Sequence, residues 1–226
     1  DVIFLHCSGY LNNDTNFANY FGKMYQPRYL SGLAAGAMTD SNKIGYVAAF
    51  PIPEVIRGIN AFAAGVNEVN PDATVEVVWT FTWFGPEAET QAANALLEKG
   101  ADVLAQHQDS TATGLAAEAA GAKWISYNTA YGQDSAPEAF VTAPVWDWGP
   151  YYVDVVESII DGTFTTESYW GGMETGLVSL YDLSSDVPSE TATLIAEKTE
   201  AIIDGTLEVA IVEEEFISNV IGTVNP

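Results

Sequence analysis

The chain has 226 residues, 48% of them apolar and only 17% charged, with 31 acidic against 7 basic side chains and a formal charge of −24. This composition supplies a packed core and rules out a disordered acidic chain, while the scarcity of Lys and Arg argues against nucleic acid or an anionic membrane as partner. No apolar run approaches the ~18 uncharged residues of a membrane span, and no signal peptide is read ahead of the strand into which Asp1 leads.

Val2-Ile3-Phe4-Leu5 reads as a buried strand, and the Gly- and Asn-rich stretch from Ser8 to Asn19 as a loop. Tyr25 to Met38 carries small residues at helical spacing. Lys43 to Phe50 is a strand stopped by Pro51, and Glu54 to Val69 repeats apolar residues at Val55, Ile59, Phe62, Val66 and Val69 as a helix does. A β-branched and aromatic strand runs from Thr74 to Thr82. The helix Pro86 to Lys99 has Pro in its first turn and Gly100 beyond its end. Ala101 to Gln106, Ser110 to Ala120 and Lys123 to Tyr127 continue as strand, helix and strand, with Phe140-Val141-Thr142 as one strand more. Beyond residue 143 two helices, Gly149 to Ile160 and Ser189 to Ile203, flank an irregular stretch from Phe164 to Tyr181, and Val209 to Ile217 is strand-like and acidic.

Strand and helix alternating at this rhythm build βαβ units on a parallel sheet, so residues 43–142 form a doubly wound α/β domain. Its ligand loops are those after the strand carboxyl ends: Phe50–Pro53, Thr82–Pro86, His107–Ser110 and Asn128–Gln133. The opening strand and helix, residues 1–39, have no evident sheet partners before them. Either an N-terminal half-domain lies outside this chain or these elements pad the edge of one domain.

Several clusters could carry a site. Trp83 and Phe84 end a strand and offer flat apolar faces to a planar ligand, or else join a core aromatic cluster. Asp109 and Ser110 precede a helix, as a cap or as a polar clamp on a ligand edge. Asn128, Tyr131 and Gln133 follow the next strand, with amides suited to a heterocycle's donor and acceptor edge or simply to a turn. Trp146, Trp148, Tyr151 and Tyr152 form the densest aromatic stretch, for stacking or for stapling two domains. The glycine-rich run around Gly172 lacks the spacing of a phosphate cradle. The ligand-binding set is therefore Trp83, Phe84, Asp109, Ser110, Asn128, Tyr131, Trp146, Trp148 and Gly172. No metal-ligand spacing occurs, and no cofactor or catalytic residue is expected. A hydrolase using Asp109 and His107 has no nucleophile elbow to support it. Cys7 is the only cysteine; it reads as a small buried residue closing a strand. Glu213-Glu214-Glu215 reads as a solvated face. The charge imbalance comes mainly from missing Lys and Arg, which fits either adaptation to high salt or an acidic extracytoplasmic protein.

The run from Tyr29 to Thr39, Lys43-Ile44-Gly45-Tyr46-Val47, Asn60-Ala61-Phe62 to Gly65, Asn70-Pro71, Thr82-Trp83-Phe84-Gly85-Pro86, Gly100-Ala101-Asp102-Val103 and Trp146 to Tyr152 resemble, in order, the basic membrane protein (BMP) or purine nucleoside receptor family of ABC-importer substrate-binding proteins. The branch resembled is the one associated with purine bases. The resemblance implies a type I periplasmic-binding-protein fold: two doubly wound parallel-sheet lobes joined by crossover strands, the first lobe incomplete here. It divides the chain into residues 1–42 as the remainder of the first lobe, 43–142 as the second lobe, and 143–226 as crossover, returning helix and shared C-terminal elements. It implies a purine base or nucleoside as ligand, an ABC permease as partner, an extracytoplasmic location and a lipid anchor outside this chain. A ligand-sensing domain on a membrane receptor is the alternative with the same cleft. Two loops depart from the nucleoside-binding branch, Gln108-Asp109-Ser110-Thr111 in place of a Gly-Gly-Thr-Gly-like loop and Asn128-Thr129-Ala130-Tyr131 in place of an Asp-rich one. Lobe closure is expected about Ser41-Asn42 and Ala143-Pro144.

Overall fold

The computed structural model describes residues 2–128 and 130–222. A six-stranded, all-parallel sheet has the order β11-β4-β3-β5-β6-β7. Its strands are β3 (Lys43–Ala48), β4 (Thr74–Trp79), β5 (Val103–His107), β6 (Lys123–Ile125), β7 (Phe140–Thr142) and β11 (Val220–Gly222). The two-residue period of these strands sorts their side chains to two faces. Ile44, Tyr46, Val75, Val77, Val103, Ala105 and Ile125 join one core with helices α1 (Tyr25–Met38) and α2 (Pro53–Val69). Val47, Leu104 and Trp124 join a second core under α3 (Pro86–Glu98) and α4 (Ala112–Ala120). The short helix α5 (Gly132–Ser135) follows β6.

A second parallel sheet, of order β1-β2-β9, holds β1 (Phe4–Cys7), β2 (Phe17–Gly22) and β9 (Tyr169–Gly171). Helix α6 (Gly149–Ile160) packs on it through Tyr151, whose ring lies 4.8 Å from Tyr20 and 4.5 Å from Tyr169. Strands β8 (Pro144–Trp146) and β10 (Val178–Leu180) form a two-stranded antiparallel pair. Helix α7 (Ser189–Ile203) contributes Ile195 and Ile202 to the first core.

Helices α1 and α2 cross where glycines face each other's backbone. A Cβ on Gly32 would sit 2.0 Å from the Phe62 carbonyl oxygen, and one on Gly65 would sit 2.1 Å from that of Tyr29. The contact is so close that α1 is buried along nearly its whole length.

The chain passes between the small sheet and the larger body at three places: Lys23-Met24 after β2, Asp147-Trp148 before α6, and Gly171-Gly172 after β9. Two of these are laced together, because Lys23 N–H donates to the Gly171 carbonyl at 2.7 Å and the Lys23 ammonium pairs with Glu174 at 2.8 Å. The third is tied back by Asp147 N–H on the Leu177 carbonyl, 2.9 Å. Ser41-Asn42, expected as a hinge, instead joins α1 to β3 within one body, and the Asp102 carboxylate fastens it by accepting from Asp40 and Ser41 N–H and from the Thr39 hydroxyl.

Four further expectations are corrected. Residues 17–22, partly read as loop, are the central strand of the small sheet, and the irregular stretch after Phe164 contains β9, a 3₁₀ turn at Met173–Thr175 and β10. Val209 to Ile217 is not a strand. Buried Asn60 on α2 takes its backbone hydrogen bonds instead: the side-chain amide donates to the carbonyls of Val212 and Glu215, and its oxygen accepts from Ile217 N–H. Glu213 on this segment pairs with Arg57 rather than lying wholly in solvent. Only after this tie does the chain add β11 beside β4.

Candidate functional site

The carboxyl ends of both parallel sheets converge on a cleft of about 520 Å³, a size suited to a small ligand. The small sheet supplies Cys7, Ser8 and Phe21, and the larger body supplies Glu54, Trp83, His107, Asp109, Tyr127 and Asn128; Trp146 and Trp148 come from the crossover between them. Cys7 does close a strand, but it is exposed toward this cleft rather than buried in a core. Burial of the thiol's surroundings still pushes its pKa up, so it is a poor nucleophile at neutral pH.

Two aromatic walls face the space. On one, Trp83 packs with Phe50 at 5.4 Å and with His107 at 5.9 Å, and His107 packs with Tyr127 at 4.6 Å. On the other, Trp146 and Trp148 stack on each other at 4.6 Å with planes 13° apart, and Phe21 packs on Trp146 at 5.1 Å. Among the described residues, three of the four non-glycine positions with left-handed backbone, Ser8, Phe81 and Asn128, border this region. Such conformations cost energy and collect at functional sites.

Five of the nine residues expected from sequence line the cleft: Trp83, Asp109, Asn128, Trp146 and Trp148. Asn128 bridges two of the others, donating to Asp109 Oδ1 at 2.8 Å and accepting from the Trp146 indole N–H at 3.0 Å. Its amide thus positions Asp109 and Trp146. Asp109 caps no helix; α4 begins at Ala112, and Asp109 N–H donates to the Trp83 carbonyl. The other four residues lie away from the cleft. Ser110 donates to Glu89 at 2.6 Å, bracing α3 against the start of α4. Phe84 and Tyr131 are 64% and 78% exposed. Gly172 sits in a crossover, where a Cβ would meet Glu174 Oε2 at 2.3 Å and Gln26 Oε1 at 2.5 Å.

Sequence reasoning missed Glu54, His107 as a wall residue, Tyr127, Phe21 and Ser8. The one available signal for Glu54 was its place in the first turn of α2, just after the β3 loop already marked as ligand-facing. Beneath the wall lies Arg28, fully buried, with its guanidinium carbon 4.0 Å from the Tyr127 ring centroid and Nη1 donating to the Gln106 carbonyl at 2.6 Å. Burial, with Arg28 and Arg57 adding to it, holds the His107 pKa well below 6.5, so the imidazole is neutral. Burial pushes the Glu54 carboxyl above its ordinary value and Asp109 raises it further, while Arg57 and Arg28 pull it back. Burial likewise raises Asp109, and the Asn128 amide offsets part of that. No cluster able to hold a metal occurs among the described residues.

Two parallel α/β sheets, three passages between them and a ligand-sized cleft at their carboxyl ends make up the bilobal fold of the type I periplasmic-binding class. The chain belongs to the family of PnrA-like ABC transporter substrate-binding proteins (Bmp), which matches residues 1–212. It is 44% identical over 209 residues to a Haloferax volcanii protein named as an ABC transporter glucose-binding protein, covering 92% of this chain and 53% of the relative. It is 40% identical over 208 residues to a purine-binding protein of Brucella abortus, covering 90% and 57% respectively. The chain thus spans about half the length of the curated relatives it matches. Among solved structures, an ABC transporter solute-binding protein from Conexibacter woesei superposes with a TM-score of 0.74 at 24% identity, covering 93% of this chain and 72% of that one. A solute-binding protein from Aeropyrum pernix gives 0.79 at 16% identity, covering 94% and 71%. The family is extracytoplasmic, and no helix among the described residues is long and apolar enough to cross a membrane.

Proposed function

We propose that this protein captures a purine base or nucleoside in the cleft and presents it to the permease of an ABC importer outside the cytoplasm, without catalysing a reaction. The observation that carries this reading is the pair of aromatic walls, Trp83 with His107 and Tyr127 on one side, Phe21 with Trp146 and Trp148 on the other. Flat walls suit a planar heterocycle, and stacking contributes roughly 1–3 kcal/mol per base. The purine-binding relative supports the same class. Residues 2–22 and α6 then form one side of a closing cleft and the six-stranded body the other, with motion about the three laced passages.

A glucose ligand is the second reading, because the relative sharing 44% identity carries that name. Titration calorimetry and thermal unfolding with adenine, hypoxanthine, guanine, their nucleosides and glucose separate the two. The expected result is binding and stabilisation by a purine, weakened about tenfold or more by Trp83→Ala, as loss of ~1.4 kcal/mol or more of stacking requires. Stabilisation by glucose with no response to any purine overturns the purine reading.

A further inference from the structure

The polar equipment of the cleft is lopsided. Of the described residues that line it, Glu54 and Asp109 bear carboxylates and none is Lys or Arg. The Glu54 side chain makes no hydrogen bond to any described residue. His107 Nε2 lies 3.7 Å from Glu54 Oε1, beyond hydrogen-bond reach, and the Glu54 side chain is only 24% exposed. His107, with a side chain 3% exposed, leaves Nδ1 buried and without a partner among the described residues. A half-buried carboxylate with all its acceptor capacity open is costly unless something supplies donors. Asp109 has one oxygen committed to Asn128 and the other open.

The groups around Glu54 come from several elements. Arg57 lies on its own helix, Arg28 on α1, His107 and Asp109 at the end of β5, with Cys7 of β1 and Tyr127 after β6 also within its field. The two cations sit behind the cleft. Arg28 is wholly enclosed and Arg57 is paired with Glu213. They oppose the effect of burial on the Glu54 carboxyl without offering the ligand a cation.

Resting on the purine reading above, we propose that Glu54 is the specificity-determining side chain of the cleft: its open carboxylate accepts N–H donors on the edge of a neutral purine base, Asp109 is the second acceptor, and ligands carrying negative charge are rejected. A carboxylate facing ring and exocyclic N–H groups gains charge-assisted hydrogen bonds. The same carboxylate repels a phosphate, so free bases are taken and nucleotides refused. Uncharged glucose is not excluded by this logic, which makes the ligand edge the deciding variable.

The test crosses protein and ligand changes. Affinities of wild type and Glu54→Gln are measured for the best-bound base from the panel and for the same base methylated in turn at each N–H position, with the corresponding nucleoside monophosphate as anionic probe. The expected wild-type result is at least a tenfold loss on methylating one N–H, with no detectable monophosphate binding. In Glu54→Gln the parent base weakens at least tenfold, and the penalty for that methylation shrinks to within about twofold. Glu54→Asp, which keeps the charge, retains the methylation penalty; circular dichroism melting confirms that both variants fold. Equal methylation penalties in wild type and Glu54→Gln overturn the inference while leaving the purine reading intact. Failure of wild type to bind any purine overturns the reading itself.

Discussion

At the scale of single residues, the neutral state of His107 has a consequence for stability. Its native pKa is depressed by burial and by Arg28 and Arg57, whereas the unfolded imidazole titrates near 6.5. Between the two values the unfolded chain binds a proton that the native protein does not, so stability is present above about pH 6.5 and is lost as pH falls below it. The slope is at most about 1.4 kcal/mol per pH unit for one group. Glu54 and Asp109 act with the opposite sign. Their native pKa values are raised above 4.5 and 3.8, so the stability tied to their protonated forms is lost as pH rises through that acid window. The His107 contribution is isolated by urea unfolding at pH 7 and pH 5.5. Wild type should lose about 1 kcal/mol across that interval. His107→Gln should lose markedly less, and equal losses in the two proteins would mean that the proton is taken up elsewhere.

At the scale of elements, the α1–α2 crossing rests on Gly32 and Gly65, each filling the space where a Cβ would strike a carbonyl oxygen of the facing helix. Backbone cannot yield as a flexible side chain does, so Gly32→Ala should push the helices apart and cost about 1–3 kcal/mol or more. Gly121→Ala is the useful contrast. There the added Cβ meets nothing, and the penalty comes only from a left-handed φ of 70°. If thermal melts show Gly32→Ala to be the milder change, the crossing is not a packing constraint. The helices around this contact were legible because Tyr25–Met38 and Pro53–Val69 are long and strongly patterned. Strands β8, β9 and β10 were not, since three residues carry no period that separates strand from loop. Strand β2 hid for another reason: its partners, β1 and β9, include one about 150 residues downstream, and pairing at that range leaves no local trace. Val209–Ile217 had the composition of a strand, yet one buried amide, Asn60, drew its backbone groups away from any ladder. In the cleft Trp83, Trp146 and Trp148 were findable from their aromatic stretches, whereas Phe21 and Tyr127 sit at strand ends that looked like ordinary core. Glu54 was not findable, because an acidic residue in a helix's first turn is ordinary, and only the fold shows that this turn opens onto the cleft.

At the scale of the whole molecule, the charge of −24 is scarcely compensated by local pairing. Five of the seven basic residues engage carboxylates: Lys23, Arg57, Lys99, Lys123 and Lys198. Arg28 is buried under the cleft wall and Lys43 donates to the Lys99 carbonyl. Most carboxylates therefore face other carboxylates or water. Two effects of salt compete. Screening weakens exposed pairs, each worth about 0–1 kcal/mol, and it relieves repulsion among a much larger number of like charges. With so few pairs and so many uncompensated acids, relief should win. The Debye length falls from about 10 Å at ~0.1 M to about 3 Å at ~1 M, short enough to uncouple most surface neighbours. Each kcal/mol gained should raise the unfolding midpoint by about 2–4 °C for a chain of this size. Helix α6 supplies the competing explanation, since Val153, Val156 and Ile160 are 56%, 55% and 77% exposed on one element. Once repulsion is screened, an apolar face of this kind favours association, which would also raise the midpoint. Protein dilution separates the two. A rise of several degrees in sodium chloride that persists on tenfold dilution identifies intramolecular repulsion as the cause; a rise that vanishes on dilution assigns the gain to the α6 face, and a fall with salt would show that the five pairs outweigh the unpaired acids.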